Sequence, residues 1–140
     1  MKTLGIGIDL VSVERFQRWT TYSPAQLARV FSVDELRDST DAAGVLDPAK
    51  LATRFAAKEA FFKALSAALV NLNKANKKFS LLWLCRHAHI ALGIWGVPVL
   101  VVDWAAIELL IGSPLPKIAV HLSLSHEKEY AVAIVSLESD

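Results

Sequence analysis

The chain has 140 residues, a length that suits one domain with a substantial hydrophobic core. Lysine and arginine number 15 against 14 aspartates and glutamates, so the net charge of +1 gives no support to nucleic-acid binding through bulk charge. The apolar fraction of 54% is high for a soluble domain, and the mean hydropathy is +0.38. Some apolar surface is therefore expected to be covered by a membrane or by another subunit.

A membrane span is not expected. The most apolar segment, residues 79–112, is interrupted by Arg86, His89 and Asp103. Its longest uncharged run, residues 90–102, is shorter than the roughly 20 residues that cross a bilayer. Self-association explains the apolar surface better.

A cytoplasmic location is expected from the first residues and from cysteine usage. Met1 leads directly into a strand pattern without the features of a signal peptide. Cys85 is the only cysteine and allows no internal disulfide, which suits a reducing compartment.

Residues 4–11 predict the first strand, with an acid near its end. The two-residue period places Gly5, Gly7 and Asp9 on one face, and the glycines would let another group approach the backbone closely. Burying a carboxylate there is costly unless Asp9 is paired, hydrogen-bonded or bound to a metal. The alternative is that Asp9 caps the helix that follows.

Two short helices, from residue 11 or 12 to about 19 and over residues 23–30, are predicted next. Arg15, Arg18 and Arg29 lie on them. Residues 32–35 fit a capping box, with Ser32 as the N-cap of a further helix.

Residues 48–69 predict a long helix, which Asp47 caps and Pro48 opens. An apolar stripe at three- and four-residue spacing runs along it, formed by Leu51, Phe55, Phe62, Leu65 and Leu69. Glu59 and Lys63 stand four apart at the edge of the stripe, in the favoured order for an ion pair. Alanines beside them leave room for another backbone or a ligand. The alternative is an ordinary core helix with a solvated salt bridge.

The rest of the chain predicts a loop, then strands and one helix. The loop covers residues 71–78, and a turn lies at residues 93–98. Strands are predicted at residues 79–84, 88–92, 99–103, 118–125 and 130–137, and a helix at 104–111. The predicted fold class is α+β, an antiparallel sheet packed against one long central helix in a single domain of residues 1–140.

The last hairpin carries His121-Leu-Ser-Leu-Ser-His126, with His126 at the strand end. A lone histidine at a turn is more often a surface or capping residue than a catalytic one. Three stretches together change this interpretation: Gly-Ile-Gly-Ile-Asp9, Arg54-Phe-Ala-Ala-Lys-Glu59-Ala-Phe-Phe-Lys63, and Ser-Leu-Ser-His126-Glu. In order and spacing they resemble holo-acyl-carrier-protein synthase, the short single-domain class of 4′-phosphopantetheinyl transferases.

The resemblance implies transfer of the phosphopantetheine arm of coenzyme A to a serine of apo acyl carrier protein, with release of adenosine 3′,5′-bisphosphate, as in fatty acid biosynthesis. It implies Mg²⁺ held by Asp9 and Glu59, which agrees with the preference of Mg²⁺ for a few carboxylates plus phosphate and water. Lys63 would contact the phosphates, and Arg54 and His126 are further candidates for coenzyme A contacts. Glu59, Lys63 and His126 form the candidate catalytic set. Glu59 is the candidate base for the serine, directly or through a metal-bound water.

The resemblance also implies partners. Acyl carrier proteins are acidic, and Arg15, Arg18 and Arg29 match the region that the family uses for docking; the alternative is that they are ordinary solvated arginines. The family forms homotrimers with active sites at subunit interfaces, which would account for the apolar surface.

The sequence departs from the family after the long helix. A glycine turn is usual there, whereas this chain reads Lys63-Ala-Leu-Ser-Ala-Ala-Leu69 and predicts another helical turn. Two other functions therefore stay open: a catalytically silent module that binds coenzyme A or a carrier protein, and a metal-dependent phosphohydrolase.

Overall fold

The computed structural model describes residues 1–140 and confirms the α+β class. The regular elements are β1 (Lys2–Ser12), α1 (Pro24–Leu27), α2 (Val33–Asp38), α3 (Pro48–Asn71), α4 (Leu81–Cys85), β2 (Ala88–Leu92), β3 (Pro98–Val102), α5 (Trp104–Ile111), β4 (Ala119–His126) and β5 (Tyr130–Ser139). Strands β1, β5 and β4 form an antiparallel sheet in that order, and β2 pairs with β3 in a separate hairpin. None of the helices is both long enough and apolar enough to cross a membrane.

Strand β1 lies directly on α3 because two glycines leave room for it. A Cβ at Gly7 would lie 1.9 Å from the Ala60 carbonyl oxygen, and one at Gly5 would lie 2.1 Å from the Ala64 oxygen. Both distances are well below van der Waals contact, so only glycine fits at these two positions. The predicted close approach is confirmed, and the group that approaches the strand is the backbone of α3 between its small alanines.

Helix α3 begins as predicted and extends slightly further. The Asp47 side chain accepts a hydrogen bond from the Ala49 N–H at 2.9 Å, and Pro48 occupies the first turn. The helix continues beyond Leu65 to Asn71, which confirms the extra turn. The predicted stripe is wrong at one position, because Phe61 is fully buried and Phe62 lies at the edge.

A buried ion pair ties α3 to α2 and the hairpin. Lys58 Nζ lies 2.7 Å from Glu35 Oε1 and also donates to the carbonyls of Val30 and Cys85. Glu35 completes the predicted capping box with Ser32 and accepts the N–H of Ile90 at 2.8 Å through its second oxygen. Each polar group of the pair is thus satisfied, as burial requires.

Two predicted elements are wrong. Residues 79–84 do not form a strand, because Ser80 Oγ accepts the Trp83 N–H at 3.0 Å and caps helix α4. The predicted helix ending near residue 19 is instead two 3₁₀ turns, Glu14–Phe16 and Arg18–Thr21. Neither turn has a side-chain N-cap, so the first N–H groups of a longer α-helix would have no side-chain acceptor there.

The outer face of the sheet carries exposed apolar side chains. Ile6, Ile8 and Leu10 of β1 are 58%, 58% and 65% exposed, and Ile134 of β5 pairs with Ile8 in the register. The inner face packs on α3 through residues such as Val135 and Leu137, which are fully buried. One face of the sheet is therefore core, and the other is an apolar surface.

Candidate active site

Asp9 and Lys63 form an ion pair where β1 crosses α3. Lys63 Nζ lies 3.0 Å from Asp9 Oδ1 and donates to the Ile8 carbonyl at 2.9 Å. The Asp9 side chain is 9% exposed, whereas that of Lys63 is 51% exposed. The predicted Glu59–Lys63 ion pair within the helix is wrong, because Lys63 reaches across to the strand. The alternative role of Asp9 as a helix cap is also wrong.

Glu59 completes this centre one helical turn before Lys63. Burial, followed by the negative charge of the nearby Asp9, raises the pKa of the Glu59 carboxyl. Lys63 and Arg15 act in the opposite direction. The two carboxyl groups therefore lie close enough to repel one another when both are ionised.

The donor set fits a divalent cation. Asp9 Oδ2 is buried and has no hydrogen-bond partner, which is costly for a carboxylate oxygen. A cation between Asp9 and Glu59 would satisfy that oxygen and relieve the repulsion. No group of three or more potential metal ligands is present, so water and substrate phosphates would supply the remaining ligands, the arrangement that Mg²⁺ favours.

Arg15 is held beside the acidic centre by aromatic rings. Its guanidinium carbon lies 5.0 Å from the Phe55 ring centroid and 5.5 Å from that of Phe16. Phe55 lies one turn before Glu59 on α3, so Arg15 belongs to the same edge of the helix as the acid. Arg15 and Arg18 also line an open groove of about 480 Å³. Arg29 lies beyond the end of α1 and is exposed.

Arg54 and His126 lie away from the Asp9–Lys63 pair within one chain. Arg54 is 7% exposed and donates to the Lys50 carbonyl at 3.3 Å, and its buried Nε has no partner. Burial lowers the pKa of the Arg54 guanidinium, while the charges of Asp38, Glu35 and Asp47 oppose this shift.

The strand register fixes the position of His126. It is exposed and pairs with Ala131 of β5, which pairs with Val11 of β1. Two strand spacings therefore separate it from β1, roughly 10 Å. The structure thus brings together Asp9, Glu59, Lys63 and Arg15, whereas the roles of Arg54 and His126 remain predictions.

Sequence reasoning missed Lys58 and the second role of Arg15. Lys58 lies on the same buried side of α3 as Leu51, Arg54, Phe61 and Leu65, at three- and four-residue spacing. A lysine on a buried helix face indicates a buried partner of opposite charge. No sequence signal links Arg15 to Glu59, because they are 44 positions apart and meet only through packing on Phe55.

Comparisons with known proteins identify the family of this chain. The model of the 4′-phosphopantetheinyl transferase superfamily matches residues 5–135. The holo-[acyl-carrier-protein] synthase of Treponema pallidum (strain Nichols) is 39% identical over 137 residues, covering 98% of this chain and 97% of that protein.

Two solved structures extend the likeness to the fold. The Chronobacterium ammoniagenes ACPS–CoA complex superposes with a TM-score of 0.77 at 27% identity, covering 100% of this chain and 99% of that one. Mycobacterium tuberculosis acyl carrier protein synthase superposes with a TM-score of 0.67 at 29% identity, covering 99% of this chain and 100% of that one. With nearly its whole length matched by the family model and by named relatives, this chain belongs to the 4′-phosphopantetheinyl transferase superfamily.

Proposed function

We propose that this chain is a holo-acyl-carrier-protein synthase, acting as one catalytic domain over residues 1–140. It transfers the 4′-phosphopantetheine group of coenzyme A to a serine of apo acyl carrier protein and releases adenosine 3′,5′-bisphosphate. The observation that carries the proposal is the Asp9–Glu59–Lys63 centre at the crossing of strand β1 and helix α3, in a chain that aligns over nearly its whole length with a named synthase.

The reaction exchanges one phosphorus–oxygen bond for another. The serine hydroxyl oxygen bonds to the phosphorus that carries pantetheine, and the bond from that phosphorus to the bridging oxygen of the diphosphate breaks. The bridging oxygen leaves with the electron pair, as part of the bisphosphate. Such a transfer requires mainly positioning and charge stabilisation.

Each residue of the centre has a task in this scheme. Glu59 accepts the serine proton, and its raised pKa makes it a better base than an ordinary carboxylate. The Lys63 side chain is half exposed although it contacts Asp9, so its ammonium group can also bind the diphosphate oxygens. Asp9 and Glu59 would hold Mg²⁺, which supplies charge neutralisation at the diphosphate when bound.

The acidic carrier protein docks on the arginines after β1. Arg15 and Arg18 line one open groove near Glu59, so a carrier seated there would present its serine to the acidic centre. Arg29 extends the positive surface past α1. Charge complementarity of this kind sets association rate and orientation.

A homotrimer completes the site. The exposed Ile6, Ile8 and Leu10 give the sheet a surface that another subunit would cover. Arg54 and His126 remain candidate coenzyme A contacts, and His126 of the partner subunit would approach the centre that it does not reach within its own chain. We further propose a cytoplasmic location, because the single buried thiol of Cys85 suits a reducing compartment.

Intact-mass measurement tests the function directly. Purified protein, Mg²⁺, coenzyme A and apo acyl carrier protein should give a carrier heavier by one phosphopantetheine group. Asp9→Ala should lower the rate at least about 100-fold, because it removes a proposed metal ligand and the partner of Lys63. Lys117→Ala, an exposed change on the chain surface, serves as the control.

The other functions give different results in the same assay. Coenzyme A binding without any mass gain, for several carrier proteins, would identify a silent binding module. Consumption of coenzyme A without a carrier would identify a phosphohydrolase.

A further inference from the structure

The ammonium group of Lys63 lies where a cation would neutralise Asp9. Lys63 Nζ is 3.0 Å from Asp9 Oδ1 and donates to the Ile8 carbonyl at 2.9 Å. No other cationic side chain lies within 4.0 Å of the Asp9 carboxylate oxygens. Within the chain, Lys63 alone therefore supplies the counter-charge that a buried carboxylate needs.

The charges around Asp9 leave little net attraction for a divalent cation. Asp9 and Glu59 carry two negative charges, and Lys63 cancels one of them. Arg15, which lies over the Phe55 ring, is a second positive charge that acts on Glu59. No third acid, histidine or cysteine joins the two carboxylates. Because the affinity of an oxygen site for a divalent cation rises with the number of charged ligands, the protein by itself should bind Mg²⁺ weakly.

The same lysine is placed to turn from Asp9 toward a diphosphate. The Lys63 side chain is 51% exposed and that of Asp9 is 9% exposed, so the lysine is the partner that can turn outward. Asp9 and Ile8 use two of the three ammonium donors. A diphosphate offers several charged oxygens, which are strong acceptors for an ammonium group. A diphosphate bound at the centre would therefore draw the lysine charge away from Asp9.

We propose that Lys63 makes cation binding depend on the diphosphate: it neutralises Asp9 until a diphosphate accepts its charge, and the two acids then bind a divalent cation together with the substrate. This inference rests on the proposed function and adds the coupling between its two ligands. Asp9 Oδ2, buried without a hydrogen-bond partner, is the oxygen that the lysine leaves free. Since such coupling is reciprocal, the cation strengthens coenzyme A binding by the same factor.

The coupling has a consequence after the transfer. Cleavage of the diphosphate divides its oxygens between two products, so neither product alone offers the lysine the same set of acceptors. Lys63 then returns to Asp9, and its charge favours release of the cation. One side chain thus opposes cation binding both before the substrate arrives and after it has reacted.

Mn²⁺ binding, measured by electron paramagnetic resonance, tests the coupling without any carrier protein. Mn²⁺ suits the same oxygen ligands as Mg²⁺, and its unbound form gives a direct signal. In the unmodified protein, coenzyme A should tighten Mn²⁺ binding at least about tenfold, after correction for the Mn²⁺ that coenzyme A binds in solution. Adenosine 3′,5′-bisphosphate, which lacks the diphosphate, should tighten it less.

Lys63→Gln removes the charge and keeps an amide donor for Asp9. Without coenzyme A, this variant should bind Mn²⁺ at least about tenfold more tightly than the unmodified protein, because no positive charge opposes the cation at Asp9. Coenzyme A should then tighten Mn²⁺ binding less than it does in the unmodified protein. Lys63→Arg keeps the charge and should keep the weak binding. Lys117→Gln, a matched loss of charge at an exposed lysine, should change neither value.

Two results would overturn the inference. One is an Mn²⁺ affinity in Lys63→Gln that is no higher than that of the unmodified protein, and the other is an undiminished effect of coenzyme A in that variant. The mass assay separates this inference from the proposed function. Tighter Mn²⁺ binding in Lys63→Gln, in a protein that modifies no carrier, would support the coupling and refute the transferase. Carrier modification with the same Mn²⁺ affinity in both proteins would do the reverse.

Discussion

At the scale of the residue, the site places two carboxyl groups near each other in a partly desolvated position. Asp9 is buried with one oxygen unpartnered, and Glu59 faces it in a partly desolvated position. An amide side chain in place of Glu59 would remove the repulsion between the two carboxylates. Retention of both acids is explained by a cation and phosphates, which need them.

Glu59→Gln should raise the thermal stability of the protein at neutral pH while it lowers the transfer rate. The Glu59 pKa is raised above its ordinary value of 4.5, mainly by burial and then by Asp9. Below pH 4.5 the Glu59 carboxyl is protonated in both the folded and the unfolded state, so it does not lower the free energy of unfolding. Above the raised pKa the carboxylate is charged in both states, and its burial lowers the free energy of unfolding. In EDTA, the variant should therefore melt at a higher temperature than the unmodified protein at pH 7 to 8, and the gap should close as pH falls toward 4.5.

The same variant should lose at least about 100-fold in transfer rate, because a proposed base and metal ligand is gone. Thermal melts across pH and the mass assay measure the two effects. A variant that melts lower than the unmodified protein at neutral pH would show that ionised Glu59 stabilises the fold.

At the scale of the element, the contact between β1 and α3 determines where the acids meet. Gly5 and Gly7 allow the strand backbone to lie against Ala60 and Ala64, and this places Asp9 beside Lys63. The site is a consequence of that packing rather than of any loop.

Gly7→Ala should be severely destabilising. Its Cβ would lie 1.9 Å from the Ala60 oxygen and 2.8 Å from the Ala64 nitrogen, both backbone atoms that cannot move alone. We expect a loss of at least about 3 kcal/mol in the free energy of unfolding, measured by urea denaturation. Gly44→Ala is the control: it has open space but a φ of +80°, so it should cost only about 1 to 2 kcal/mol. Equal costs for the two variants would contradict the close packing.

The buried pair of Lys58 and Glu35 should hold α2 and the hairpin on α3. Lys58→Met leaves Glu35 buried without its counter-charge, so we expect a loss of about 3 to 5 kcal/mol in the free energy of unfolding. The double variant Glu35→Gln/Lys58→Met should recover part of it, since the amide oxygen can still accept from Ser32 or Ile90. Lys50→Met, an exposed change on the same helix, should be close to neutral. A double variant less stable than the single one would argue against a charge penalty.

At the scale of the whole molecule, the outer face of the sheet is the main unpaired apolar surface near the site. Charged substitution there should dissociate the proposed trimer. Ile6→Lys should give a monomer in light scattering and lower transfer activity, with an unchanged circular dichroism spectrum, because Ile6 is 58% exposed within one chain. Val33→Lys, at an apolar position on α2 that is 83% exposed, should leave the assembly intact. A trimeric Ile6→Lys protein would place the subunit contact elsewhere.

Local sequence signals determined most of the elements and named the acids. The Asp47–Pro48 start, the glycines alternating with Asp9, and the bounds of the last helix follow from capping, side-chain period and turn residues, which act within a few positions. These interactions are short-range, so the sequence carries them directly. The strand predicted at residues 79–84 was wrong because a short apolar run is compatible with either a strand or a short helix. The N-cap at Ser80 favours the helix.

Only the tertiary structure decided which charges meet. Lys63 pairs with Asp9, 54 positions away, rather than with Glu59 on its own helix. Lys58 pairs with Glu35 of α2. Arg15 lies near the acids because it packs on the ring of Phe55. The energy of a charge depends on how far packing removes it from water and on which distant groups the same packing brings near. The sequence by itself determined the family, the acids and the long helix, while the folded chain determined their pairing, because desolvation exists only once strand and helix are in contact.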